Sequence, residues 1–229
     1  MIKPGYFGKT VPADTRRIDF DFQNEQILYL HRNVDVLFIG DSITQLWDLN
    51  AYFNTHCFLV NRGIGGDSSE YLLRRFDADC IQLCPRRAVL MIGTNDIARS
   101  DYDFWWRKPG ESEQDVLEAY QKNVSEMVAK CDAAGIELTI CAVPPSDIAP
   151  PMDKEKRWRM TAAMNTFLRS LSKSYVDYAS VLSNDGKTLD SKWTPDGIHM
   201  NAAGYQRMAE MLKTQINLLR SEVEKSEAF

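Results

Sequence analysis

Histidine is scarce in this chain, three residues in 229, so any acid–base chemistry it performs has few places to reside. Cysteine is no richer in pattern. The five cysteines are an odd number at scattered positions in segments that read as core or core edge, which excludes a disulfide framework and leaves reduced thiols. Cys80 and Cys84 lack a third and fourth ligand at zinc-like spacing, so no metal site is expected there. No uninterrupted apolar run approaches the length of a membrane span, and the opening stretch MIKPGYFGKTVPADTRR has no apolar signal core. The expectation is a soluble cytoplasmic protein. Positive charge is also missing as a block: 27 basic residues against 32 acidic give a formal charge of −5, which argues against a nucleic-acid partner. Neither the dinucleotide glycine spacing nor the P-loop ending occurs, and there is no internal repeat or low-complexity tract.

What is present is an ordinary globular balance, 44% hydrophobic and 26% charged residues, over a length suited to one core. A single domain over 1–229 is expected, with 1–33 as an N-terminal extension packed on it and 221–229 as a fraying tail. Apolar strand-like runs recur at 34–39, 57–60, 88–92, 136–143 and 175–178, separated by segments that can be helical. Leu117, Tyr120, Val124, Met127, Val128 and Cys131 fall at helical spacing before a stop at Gly135. Met160, Met164, Phe167, Leu168 and Leu171 repeat the pattern, as do Tyr205, Met208, Leu212 and Leu219 in the last helix. Alternating strands and helices predict a three-layer α/β/α sandwich around a five-stranded parallel sheet covered on both faces.

In such sheets the ligand crevice lies beyond the carboxyl ends of the strands. Three polar clusters fall there: Gly40-Asp41-Ser42, Gly63-Ile64-Gly65-Gly66-Asp67 and Gly93-Thr94-Asn95-Asp96. A serine becomes a nucleophile when a histidine, held in one tautomer by a carboxylate, takes its proton. His31 and His56 do not follow a strand's end and read as packing or surface residues. His199 stands in TPDGIHMNAAGY, three residues after Asp196, with Asn201 placed to cap the final helix. One tight turn can bring Asp196 to one ring nitrogen and leave the other for a serine. Taken alone, the same residues read slightly better as a mere turn with His199 at the helix entry. Acyl transfer also needs donors aimed at an oxyanion. Asp67-Ser68-Ser69-Glu70 reads as a helix N-cap with a reciprocal acid, so the Gly66 N–H precedes a helix start. Asn95 and the Ser42 N–H supply further donors. Three strand-end clusters with a downstream Asp-x-x-His favour the chemical reading over chance turns.

Together these residues resemble the SGNH hydrolase family, also called GDSL esterases and lipases. The similar blocks are FIGDSITQLWD, NRGIGGDSSEYLLRRF, VLMIGTNDI and DGIHMNAAGY, in family order across most of the chain. The resemblance implies a flavodoxin-like fold, Ser42 as nucleophile, Gly66 and Asn95 as oxyanion donors, His199 as base and Asp196 as its orienting acid. It implies no cofactor and no metal. Ile43 stands where the family's name has leucine, and the serine lacks the Gly-x-Ser-x-Gly elbow of α/β-hydrolases. GIGGD and Trp47 look most like the branch with platelet-activating-factor acetylhydrolase-like and carbohydrate-esterase-like members.

The expected reaction is hydrolysis of a small-molecule ester, acetyl on a carbohydrate before a long acyl chain. The segment ARSDYDFWWRKPGESE sets aromatic faces beside charges, which suits a sugar. Asp41, Trp105 and Trp106 are the candidate substrate contacts, and a packed surface loop is the equal alternative for the tryptophans. A lipid-directed acylhydrolase and a non-catalytic binding module are the rival functions. Exposed aromatics and the resemblance are compatible with a homodimer.

Overall fold

The computed structural model describes residues 16–103, 108–148 and 153–220. The elements run α1 (Arg17–Tyr29), β1 (Val36–Gly40), α2 (Ser42–Gln45), α3 (Leu49–Tyr52), β2 (Leu59–Gly63), α4 (Ser69–Asp79), β3 (Arg87–Met91) and α5 (Thr94–Arg99). There follow β4 (Tyr102–Asp103), β5 (Lys108–Pro109), α6 (Glu113–Ala134), β6 (Glu137–Cys141), α7 (Lys154–Ser170), β7 (Ser174–Val176), α8 (Ala179–Leu182) and α9 (Ala202–Gln215). Five strands form one all-parallel sheet in the order β2-β1-β3-β6-β7, while β4 and β5 make a separate antiparallel pair. This is the flavodoxin-like order, whose direction of growth reverses between β1 and β3 and opens a crevice at their carboxyl ends.

The pleat explains the three layers. Leu37 and Ile39 of β1, Ala88 and Leu90 of β3, and Leu138 and Ile140 of β6 join one core with α4, α6 and α7. Their neighbours Val36, Phe38, Val89, Met91 and Cys141 face the other way into a second core with α9. Period-two alternation therefore feeds two apolar faces, and each buried Leu, Ile or Phe contributes roughly 1.5–3 kcal/mol of transfer free energy. Helix α6 is bounded as its sequence directs: Ser112 accepts the Asp115 N–H at 3.1 Å, and Gly135 ends it at φ +68°.

Each apolar run became a strand, with ends displaced. The second runs to Gly63, because Asn61 and Arg62 end the apolar pattern without ending the ladder to β1. Leu219 is buried, yet it sits in a 3-10 turn at Asn217–Leu219 after α9 has stopped. Helix α1 escapes periodicity because its inner face mixes Phe20 and Ile27 with a fully buried Asn24. That amide donates to the Ala78 carbonyl at 3.1 Å and accepts from Arg62 at 2.7 Å. Arg62 in turn lies 4.8 Å over the Phe20 ring, so α1 docks through polar and cation–π contacts as well as burial. Of the cysteines, Cys80, Cys131 and Cys141 are buried, Cys57 is half-buried and Cys84 is exposed, a departure from the expected core; all five are free. Among the described residues no helix is long and apolar enough to cross a membrane.

Candidate active site

Strand β1 must end close against β3: a Cβ at Gly40 would lie 2.0 Å from the Met91 carbonyl oxygen. The chain turns at Asp41, whose carboxylate accepts the Ile43 N–H at 2.9 Å and caps α2. Ser42 is thereby the first residue of α2, with its hydroxyl at the mouth of the crevice and its N–H among the unpaired donors of a helix start.

From the far end of the chain, the 194–199 turn brings the partners. Asp196 Oδ1 accepts the backbone N–H groups of Ile198 at 2.9 Å and His199 at 2.8 Å. Its Oδ2 meets His199 Nδ1 at 2.7 Å, and His199 Nε2 stands 2.9 Å from Ser42 Oγ. Desolvation would raise the Asp196 carboxyl, but the His199 ring and the two backbone donors outweigh it and hold the group down at about 2. Gly197 makes this turn seat: its φ is +84°, and a Cβ there would come within 1.9 Å of the Asp147 carbonyl oxygen. Asn201 accepts the Gly204 N–H at 2.9 Å as the cap of α9. The α9 residue Tyr205 donates its hydroxyl to the Ile43 carbonyl at 2.7 Å and stacks on Trp47 at 5.4 Å, fastening this helix to α2.

The second and third clusters close the other side. Ile64 to Asp67 form a turn with the Asp67 N–H on the Ile64 carbonyl at 3.2 Å, and Gly66 at φ +80° occupies the position that a type II turn reserves for glycine. Asn95 donates one amide N–H to the Asp67 carbonyl at 2.9 Å, which fixes its side chain between the two loops. The expected Asp67 cap is corrected here. Asp67 binds Arg75 at 2.7 Å, and the start of α4 is capped from another loop, by Asp96 accepting the Ser69 N–H at 2.9 Å and the Ser69 hydroxyl at 2.5 Å.

Asp41 lies deeper than its neighbours in the site. Its side chain is buried beneath the site, where it caps α2, and it is not among the described residues that line the cavity. Burial pushes its carboxyl from 3.8 up to about 7, against the Ile43 N–H and with help from Asp67 and Asp96. Burial likewise lifts Asp67 and Asp96 to about 6, against Arg75 in the first case and the Ser69 donors in the second. A carboxyl raised on folding stabilises the fold fully below its unfolded value and loses that contribution as pH climbs through the folded one. Urea midpoints measured from pH 4 to pH 8 should therefore fall more steeply for the natural chain than for Asp41→Asn.

Ser42, Gly66, Asn95 and His199 line one cavity of about 370 Å³. Among the described residues its remaining wall is Thr94, which fell within the third strand-end cluster, with Ala98, Ile148, Ile198 and Arg157, to which sequence reasoning gave no role. Arg157 had a signal: it occupies the buried register of α7 with Met160, Met164 and Leu168, where an apolar residue is the rule. Trp105 and Trp106 lie outside the described residues. His31 and His56 are exposed, as expected of surface residues. Among the described residues no group of three or more His, Cys, Asp or Glu side chains could hold a metal ion. A larger cavity of about 640 Å³ lies along the edge strand β2 and contains none of these site residues.

Residues 38–207 match the GDSL-like Lipase/Acylhydrolase family. The chain belongs to that family. Membership makes this GDSL-family chain a carboxylic ester hydrolase by class. A GDSL-like lipase from Bacteroides thetaiotaomicron superposes with a TM-score of 0.71 at 23% identity, covering 94% of this chain and 100% of that one. A catalytic mutant of an acetylxylan esterase from Geobacillus stearothermophilus superposes with a TM-score of 0.62 at 22% identity, over 82% of this chain and 97% of that one. In sequence, the GDSL-family chain is 29% identical over 190 residues to the N-acylneuraminate cytidylyltransferase of Escherichia coli O18:K1:H7. The match takes in 78% of this chain and spans only 40% of the length of that relative.

Proposed function

We propose that this hydrolase removes short acyl groups, acetyl above all, from a carbohydrate through an acyl-enzyme on Ser42. The 2.9 Å contact between His199 Nε2 and Ser42 Oγ carries the reading, with the 2.7 Å contact to Asp196 behind it. His199 takes the hydroxyl proton as Oγ attacks the ester carbonyl, while Asp196 holds the ring in the tautomer that leaves Nε2 to accept. The oxyanion rests on the N–H groups of Ser42 and Gly66 and on the Asn95 amide. Collapse expels the sugar alkoxide, which His199 protonates. Water, deprotonated by His199, then releases acetate and restores the serine. No cofactor enters any step.

A cavity of about 370 Å³ accommodates an acetyl group with a sugar more readily than an extended acyl tail. The names of two similar proteins concern acylated sugars: an acetylxylan esterase and an N-acylneuraminate cytidylyltransferase. The reading takes the chain as one catalytic domain acting on a small-molecule ester.

A fluorophosphonate should label Ser42, and p-nitrophenyl acetate should be turned over faster than the butyrate and octanoate esters. Preference for octanoate would favour the lipid-directed alternative, and an unlabelled Ser42 would favour a binding role. For the oxyanion site, Asn95→Ala should lower kcat by roughly a hundred- to a thousandfold with little change in KM, read from initial rates on the acetate ester.

A further inference from the structure

Resting on the hydrolase reading above, we infer that Gln45 is a positioning residue for the reaction: from the end of α2 it holds the glycine loop so that the Gly66 N–H faces the oxyanion. Its side-chain oxygen accepts the Gly65 N–H at 2.5 Å. Ser42 and Gln45 are the first and last residues of α2, one helical turn apart. The helix that carries the attacking hydroxyl thus also grips the loop that carries a donor, and Gly66 lines the same cavity as Ser42.

The loop needs such a grip. Gly65 and Gly66 have no side chain to pack, and two successive glycines leave a backbone its widest freedom. Gly65 passes close to the serine: a Cβ there would lie 3.7 Å from Ser42 Cβ and 3.2 Å from Gln45 Oε1. Beyond Gly66 the loop is fixed at Asp67, whose N–H meets the Ile64 carbonyl at 3.2 Å and whose carbonyl accepts the Asn95 amide at 2.9 Å. Gln45 fixes it at the residue before Gly66, so the peptide that carries the donor is held from both ends. Joining β2 to α2 is not the reason for this bond. Asn61 already does so, donating to the Thr44 and Trp47 carbonyls at 2.7 and 3.0 Å and accepting the Gly63 N–H at 2.9 Å. The particular effect of Gln45 therefore falls on the glycine loop. An oxyanion donor acts where charge develops, and a displacement of about 1 Å costs about a hundredfold in rate.

The test is Gln45→Leu, which keeps the bulk and removes the acceptor, with initial rates on p-nitrophenyl acetate. Its kcat should fall roughly ten- to a hundredfold with KM within about twofold of natural. Affinity for a boronic acid, whose serine adduct places an oxygen in the oxyanion site, should fall by about the same factor as kcat/KM. Gln45→Glu accepts the same N–H and should recover most of the lost kcat. A natural kcat in Gln45→Leu overturns the proposal, as does a loss confined to KM or a glutamate variant no better than the leucine one. Should the leucine variant fail to fold, the natural chain decides: its Gly65 amide should exchange with deuterium roughly tenfold more slowly than an unbonded glycine amide, and unprotected exchange overturns the proposal. Ester turnover that Gln45→Leu leaves unimpaired sinks this inference alone. No turnover of any ester and no fluorophosphonate label on Ser42 removes the hydrolase reading and this inference with it.

Discussion

Ser42→Ala should lower kcat/KM for acetate esters at least ten-thousandfold, because among the described residues the Ser42 hydroxyl is the one bonded to His199 Nε2. The fold should not notice. The Ser42 hydroxyl meets only His199 among the described residues, and alanine is at home in the first turn of a helix. Thermal melting of the variant is thus expected to match that of the natural chain, with stability changed by less than about 1 kcal/mol. Acetate release in a pH-stat and a melting curve on one preparation check both halves. Retained hydrolysis would mean that the 2.9 Å contact is incidental.

Arg75→Met should act in the opposite way, through stability. Arg75 is fully buried, and its guanidinium meets Asp67 at 2.7 Å, Asp79 at 2.9 Å and the carbonyls of Arg62 and Gly40 at 2.9 and 3.0 Å. Methionine fills much of the volume and supplies none of the donors. Asp67 and Asp79 would then face each other across the space with the intervening cation gone, and removing one member of a buried ion pair costs about 3–5 kcal/mol. The urea midpoint should fall accordingly. Activity should fall further than the unfolded fraction explains, because Arg75 ties the end of β1 to the Asp67 loop, and Asn95 is bonded to that same loop. Equal midpoints for the two chains would refute the account.

The strands and the serine–histidine–aspartate contact were legible in the sequence because each is local or is set by topology. An apolar run between helical patterns becomes a covered strand wherever it falls, and a parallel sheet must gather its strand-end loops on one side. The Asp196 to His199 turn is closed by its own side chains, so the spacing allowed it and the three strand-end clusters gave it its reading. Asp67 was misread for the converse reason: its sequence neighbours fit a cap, but Arg75 claims it and Asp96 caps from another loop. Helix α1 was hidden because a buried Asn24, bonded to Ala78 and Arg62, interrupts its apolar stripe. Arg157 was passed over because periodicity weighs only apolar residues. A charged residue standing in the buried register is the sign to seek.

The joint between Tyr205, Trp47 and Ile43 has a consequence for the timing of biosynthesis. The proposed nucleophile and base are 157 positions apart, and α9 locks onto α2 only once residues through Gln215 have left the ribosome. A nascent polypeptide that has emerged as far as β6 presents an alcohol with nothing to deprotonate it. Until α9 emerges, the nascent chain is thus inert in the proposed reaction, and the first hydrolytic turnover announces that α9 has docked on α2.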